Sequence, residues 1–301
     1  MIHEFAVEPE VMAKWEHFNA LWPDFGVGCG RLLVEFPGDW RKQVITLADQ
    51  TLGPVHAHSI KTKLTDQSLR LQKLVGPNGR FSDGRDWKKN AVQQRERGKP
   101  FRAIVARNAQ NSSSDVLVAG EFERDVEPWK VARQDSACPR NAKEMLSRVK
   151  VLLTHSERVK LVDRNFHPDK PKFIRPFAEF IGVQEKWKSL ELHTATPMHF
   201  VRDATRSNYR RKLELDVPKG STLEVFLWPG LPDGDRMHPR FLLTERGGVN
   251  FDYGLDEGVG SAETTLVTLL EHEVYLKKWE DFSEFGKCFG KPERFQVEGK
   301  G

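Results

Sequence analysis

Apolar positions recur with two different periods along this chain, and the change of period predicts two kinds of organisation. Near the start, Val11, Trp15, Phe18 and Trp22 follow one another at steps of four, three and four residues. That spacing puts them on one face of an amphipathic helix, which Pro9 suits as a first-turn residue. Asp39 is placed to cap a second helix over residues 40–49. Ile60, Leu64, Leu71 and Leu74 predict a third, with Ser59 near its start, and residues 86–96 a fourth, charged one. Two β-like runs follow, at 101–106 and 115–122. The first half therefore reads as an N-terminal α+β region, helices followed by a short strand pair, with no catalytic constellation in it.

Beyond residue 150 strands and helices alternate. Residues 159–162, 190–194, 222–228 and 264–270 have strand character, and 239–244 with 249–251 form a hairpin about Gly247-Gly248. Between them lie a helix at 173–181, a basic helix from Pro197 to Lys212 and a closing helix reaching residue 285. Residues 229–235 are a turn rich in breakers. Strands separated by helices predict an α/β sandwich with a mixed sheet. Residues 108–115 read as a polar loop and 134–141 as a linker or helix entry. The expected division is a helical, α+β accessory domain over 1–150 and an α/β domain over 151–301.

Length and composition agree with that picture and narrow the function classes. A chain of 301 residues is about two domains' worth. With 38% hydrophobic and 30% charged residues it has the apolar material for real cores and too much for a disordered chain. No apolar run approaches the roughly 18–20 residues of a membrane helix, so no membrane partner is expected. The opening Met1-Ile2-His3-Glu4-Phe5 lacks the pattern of a secretion signal. Cys29, Cys138 and Cys288 are odd in number and far apart, which fits neither a zinc spacing nor a disulfide framework. A reducing cytoplasm is the expected compartment. The net charge is +4, and the excess sits in the first half, with 24 basic and 19 acidic side chains against 23 and 24 in the second.

The strongest local signal for chemistry is His238-Pro-Arg240-Phe-Leu-Leu-Thr-Glu245. On a strand, residues i and i+2 share a face, so His238 and Arg240 would point the same way. Arginine offers a permanent charge and a forked donor to a phosphate, and histidine can attack phosphorus or shuttle a proton. Glu245 or Asp256 could orient the imidazole. The plain alternative is a strand-edge histidine and a solvated arginine in a hairpin.

The surroundings extend the pattern: a strand ending in Asp163-Arg-Asn-Phe166, then a helix, a strand with Leu192-His193-Thr194, a helix and a strand, then HxR-x4-E, Gly-Gly and Gly254-Leu255-Asp256. Over residues 150–280 this resembles the phospholipase D superfamily, whose motif is H-x-K-x4-D. It is closer to the divergent phospholipase-D-like domains found C-terminal to MIT domains and in bacterial proteins. The resemblance implies a phospholipase-D-like α/β sandwich acting on a phosphodiester, nucleic acid above all, without metal or other cofactor. It places His238 at the nucleophile position, Arg240 at the lysine position and Glu245 at the aspartate position. Arginine for lysine and glutamate for aspartate are departures. So is the single motif, since active members pair two. A homodimer bringing two His238 together would supply the second; otherwise the same pocket serves a binding adaptor in a larger protein assembly, as in the MIT-associated relatives. The resemblance also points to bacterial antiviral defence or mobile-element systems.

Further contacts to phosphate or nucleic acid are expected from His193 at a strand end, from Arg202, Arg206 and Arg210 at four-residue steps on one helix face, and from Asp256. A second basic run, Arg85, Lys88, Lys89, Arg95, Arg97, Lys99 and Arg102, surrounds Trp87, which reads either as a base-stacking platform or as a core anchor. His56 with His58 lack further ligands for a metal. Glu271-His272-Glu273 is not a zinc motif, and Gly26-Val-Gly-Cys-Gly30 lacks the GK[ST] of a phosphate loop.

Overall fold

The computed structural model describes residues 1–76, 81–82, 86–97, 101–108, 116–229, 240–260, 262–283 and 289–301. The chain forms two compact units, Ile2–Ala132 and Arg133–Gly301.

In the first unit, β1 (His3–Val7) is followed by α1 (Pro9–Met12) and α2 (Trp15–Leu21) and then β2 (Arg31–Val34). Next come α3 (Trp40–Thr51), α4 (Pro54–Thr65), α5 (Gln67–Lys73), β3 (Leu74–Val75), α6 (Trp87–Glu96), β4 (Ala103–Ala106) and β5 (Val116–Val118). The five strands lie in the order β3-β2-β1-β4-β5, and every neighbouring pair is parallel. This corrects the α+β expectation of helices followed by a strand pair. The reason is local. Phe5-Ala6-Val7 and Leu32-Leu33-Val34 are wholly buried, so strands covered on both faces carry no alternation to read. Asp66 divides the expected third helix by accepting the Leu69 N–H at 2.8 Å and so capping α5. Phe5, Phe25 and Trp129 meet edge to face in the core, and Trp40 donates from Nε1 to the Val7 carbonyl at 2.7 Å.

The second unit contains β6 (Gln134–Pro139), α7 (Ala142–Thr154), β7 (Arg158–Asp163), α8 (Pro171–Ile181), β8 (Ser189–Ala195), α9 (Arg202–Leu213) and β9 (Thr222–Trp228). It continues with β10 (Arg240–Thr244), β11 (Gly247–Phe251), β12 (Thr264–Leu269), α10 (His272–Asp281) and β13 (Glu293–Glu298). The sheet order is β13-β9-β8-β7-β10-β11-β12-β6. Strands β7, β8 and β9 are parallel, and the other pairs are antiparallel. This is an α/β architecture with a mixed sheet, consistent with an α/β sandwich. Residues 134–141, which read in sequence as a linker or helix entry, hold the edge strand β6, and Asn141 caps α7 by accepting the Glu144 N–H at 3.0 Å. The division thus falls between 132 and 133, with β6 and α7 in the second unit rather than in a domain ending at 150.

The two faces of this sheet are chemically distinct. Val162, Phe226, Trp228, Phe241 and Leu243 point to one face and pack with Tyr275 of α10, Phe282 and Phe289. The neighbours that alternate with them, including Asp163, Arg240 and Leu242, point to the other. On that side Phe180 of α8 meets Phe251 at 6.1 Å between ring centres.

Candidate functional site

The carboxyl ends of β7, β8 and β9 lie together because those strands are parallel, and β10 starts at that same end because it runs antiparallel to β7. Arg240, its first residue, is in register with Asp163, the last residue of β7. Residues opposed in a ladder share a face, so both side chains project on the α8 side. Strand β11 returns to this end and delivers the loop 252–257.

The loop is fitted closely to the strand ends. Asp163 is buried and accepts the Leu255 N–H at 2.8 Å and the Asn165 N–H at 2.9 Å. Burial raises its pKa above the usual aspartate range, and nearby Asp256 adds to the rise, while the two backbone N–H groups and Arg240 oppose it. Gly254 sits at φ +122°, where a Cβ would lie 2.9 Å from both Asp163 Oδ2 and Asp256 Oδ1 and 3.3 Å from Arg240 Cδ. Asp256 takes Arg140 Nη2 at 2.9 Å and Lys172 Nζ at 2.7 Å. Arg140 also reaches Glu263 at 3.0 Å and lies over the Tyr253 ring. Arg240 donates from Nη1 to the Asp252 carbonyl at 3.1 Å. Its Nε is buried without a hydrogen-bond partner among the described residues.

One backbone bond holds the loop against α8. Pro176 has no N–H to give to Lys172, four residues earlier, and the Lys172 carbonyl instead accepts the Glu257 N–H at 2.9 Å. Glu257 then accepts from the Ala142 N–H at 3.1 Å and from Arg175 at 3.2 Å, tying the loop to the first turn of α7 as well.

The sequence-derived candidates fall in different places. Arg240 and Asp256 are brought together here, and Arg140, Asp163, Lys172 and Gly254 join them. The signals for these additions are the strand ending in Asp163 and the Gly-Leu-Asp run. Arg140 and Lys172 carry none, being single cations distant in sequence. His238 lies outside the described residues. Glu245 is at the opposite end of β10, roughly 17 Å away at ~3.4 Å per residue. Its carboxylate accepts the N–H groups of Glu157 at 2.8 Å and Arg158 at 3.0 Å, so it clamps the entry of β7 and does not orient a site at residue 240.

His193 is not in the cleft either. It is fully buried and occupies the α10 face, opposite to Arg240, because it is in register with Val162 and not with Asp163. Its ring stacks on Phe226 at 4.5 Å and lies edge-on to Phe282. Nδ1 accepts the indole N–H of Trp228 at 3.2 Å, which leaves Nε2 to carry the proton that bridges to Glu191 Oε2 at 3.0 Å. Lys160 Nζ lies 3.4 Å from the same oxygen and donates to the Phe282 carbonyl at 2.6 Å. Burial holds the His193 pKa below the usual histidine range, against the raising influence of Glu191.

The arginine face of α9 is already occupied. Arg202 and Arg206 both pair with Glu293 of β13, and Arg210 donates from Nε to the Gln296 carbonyl at 3.1 Å. These three side chains fasten α9 to the edge strand. In the first unit, Trp87 is a core anchor whose Nε1 donates to the Phe36 carbonyl at 2.7 Å. His56 stacks on Trp15, and no cluster of three or more His, Cys, Asp or Glu suited to a metal occurs among the described residues. No helix among the described residues is long and apolar enough to cross a membrane. Cys29 and Cys138 are free thiols.

The chain matches no protein-family model and no curated protein. Among solved structures, it is similar to TrmBL2, an archaeal chromatin protein whose structure shows a novel mode of DNA binding, at a TM-score of 0.28 and 14% identity. That likeness covers 52% of this chain and 53% of the other, so the chain spans about half of that protein's length. At this level it carries no argument about what the present chain binds.

Chemically, the strand-end cluster sets three cations, Arg140, Lys172 and Arg240, around two buried carboxylates. Arg140 and Lys172 share Asp256, Arg140 pairs with Glu263 as well, and among the described residues the buried Nε atoms of Arg140 and Arg240 have no hydrogen-bond partner. Crevices outside the carboxyl ends of parallel strands are where open α/β sheets bind ligands.

Proposed function

We propose that residues 133–301 are a phospholipase-D-like domain that holds a phosphodiester of nucleic acid at the carboxyl ends of β7–β9. The observation that carries this reading is the guanidinium of Arg240, set on the Asp163 side of the sheet with Nε unsatisfied among the described residues. A phosphate oxygen is an acceptor suited to that donor, and a charge-assisted bond to it is about twice as strong as a neutral one. The HxR spacing adds His238 from the sequence.

Holding, as an adaptor does, is favoured over cleaving. Glu245 is spent on the entry of β7, and His193 is sealed beneath the opposite face. Neither can serve a reaction at residue 240. Cleavage would need two copies of the chain to pair their His238 side chains across a twofold axis. One imidazole would then bond to phosphorus as the ester oxygen departs with a proton from the other, and water would finally break the phosphorus–nitrogen bond. No metal enters that scheme.

The test uses labelled single-stranded DNA and RNA in EDTA with the wild-type chain, Arg240→Ala and His238→Ala. Binding that Arg240→Ala weakens tenfold or more, without cutting, is the expected result. Cutting that His238→Ala abolishes would turn the domain into a dimeric nuclease. Absence of binding to either nucleic acid would overturn the proposal.

A further inference from the structure

A groove of ≈ 860 Å³ runs along α7 and α8, between residues 141–154 of one and 175–183 of the other. Both helices begin beside the strand-end cluster, since Arg140 precedes α7, Lys172 lies in the first turn of α8, and both bind Asp256. Successive loop residues therefore serve the two sites: Asp256 belongs to the cluster, and Glu257 lines the groove. At ~1.5 Å per residue the 13 residues of α7 give the groove a length of about 20 Å.

The groove lining mixes apolar and charged side chains. Leu146, Ala178 and Val183 contribute apolar surface. Arg175 is offset by Glu257 at 3.2 Å. Lys143 and Lys150, exposed and two helical turns apart on α7, have no carboxylate partner among the described residues, and Glu179 is the one remaining acid of the lining. Apolar side chains beside two ammonium groups suit a chain that is anionic along its backbone and has flat apolar faces.

We infer that this groove carries the single-stranded nucleic acid that flanks the phosphodiester held at Arg240, with Lys143 and Lys150 on its phosphates and Leu146 beneath a base. The inference rests on the function proposed above and adds the path and the single-stranded form of the ligand. It also accounts for the tie of Glu257 to both helices, which fixes the groove's entrance to the cluster.

The experiment compares labelled dT2 and dT12 on the full chain, wild type against Lys143→Glu/Lys150→Glu and Arg240→Ala. The dinucleotide has one phosphodiester and reaches the cluster alone. The double variant is expected to weaken dT12 at least tenfold and to leave dT2 unchanged. Its dependence of log K on log salt should fall by about 1.4, at ~0.7 for each phosphate that a lysine no longer neutralises. Arg240→Ala should weaken both ligands. Unchanged dT12 binding in the double variant, with Arg240→Ala still effective, would overturn the groove and leave the strand-end site standing. A twelve-residue glutamate peptide that binds the wild type in a manner sensitive to the double variant, while dT12 does not, would also overturn it in favour of an acidic protein partner. Failure of the wild type to bind either oligonucleotide would remove both readings.

Discussion

Gly254 and His193 show at the scale of single residues how one side of the sheet is built for close approach and the other for packing. Gly254 lies close against the strand ends, with a backbone at φ +122° and carboxylate oxygens 2.9 Å from where a Cβ would stand. Gly254→Ala is expected to cost about 1–3 kcal/mol in urea unfolding, since strain and displaced carboxylates add. Asp163→Ala leaves the Leu255 and Asn165 N–H groups without their acceptor, and a loss of about 1–3 kcal/mol should follow. His193 and, in the first unit, His3 are held neutral by burial, His3 with its pKa pushed down to about 4. The unfolded chain takes up protons on both below about pH 6.5. The folded chain does not until its lower values are reached. The contribution of these two histidines to stability therefore is complete above about pH 6.5 and is lost as the pH drops below it. Melting temperatures of His193→Gln from about pH 7.5 to 5 should show a shallower acid decline than the wild type. Arg240 and Asp256 are legible in the sequence because HxR and Gly-Leu-Asp are compact patterns. The face of His193 is not, because alternation reveals that Glu191 and His193 share a side of the strand without telling which side that is.

Individual elements are readable in proportion to the contrast between their sides. Helices α3 and α8 and strands β8 and β9 have periodic faces, and the sequence places them within a few residues. Strands β1 and β2 are short and largely buried, so the parallel sheet of the first unit leaves no alternation. β6 is the reverse case, a mostly exposed edge strand in which Cys138 alone is buried, so its sequence resembles a linker. The basic character of the helix bearing Arg202, Arg206 and Arg210 is plain in the sequence, yet Glu293 and Gln296 of β13 are too distant along the chain to be seen as its partners. Pro176 has an effect that belongs to its whole helix. By leaving the Lys172 carbonyl unclaimed it lets α8 hold the 252–257 loop. In Pro176→Ala the new N–H competes for that carbonyl. Hydrogen exchange at the Glu257 amide should quicken severalfold, and unchanged protection there would contradict the role given to the proline.

For the molecule as a whole, length alone indicates two units, while their boundary depends on pairings between distant segments. β6 adds to β12, and Arg140 reaches Asp256 and Glu263, so the second unit needs residues before 150. A fragment of residues 133–301 is expected to unfold in one cooperative transition. A fragment of residues 151–301 loses an edge strand, most of helix α7 and a cation bound to a buried carboxylate, and should lack a cooperative transition in circular dichroism melts. The proposed binding comes down to one donor meeting a phosphate. The most direct measurement is the nitrogen-15 and proton resonance of Arg240 Nε–H, assigned by its loss in Arg240→Lys, during titration with a dithymidine phosphodiester. A saturable downfield shift of that proton, with the same dissociation constant as the ligand, is expected. Saturable binding of the ligand that leaves this resonance unmoved would contradict it.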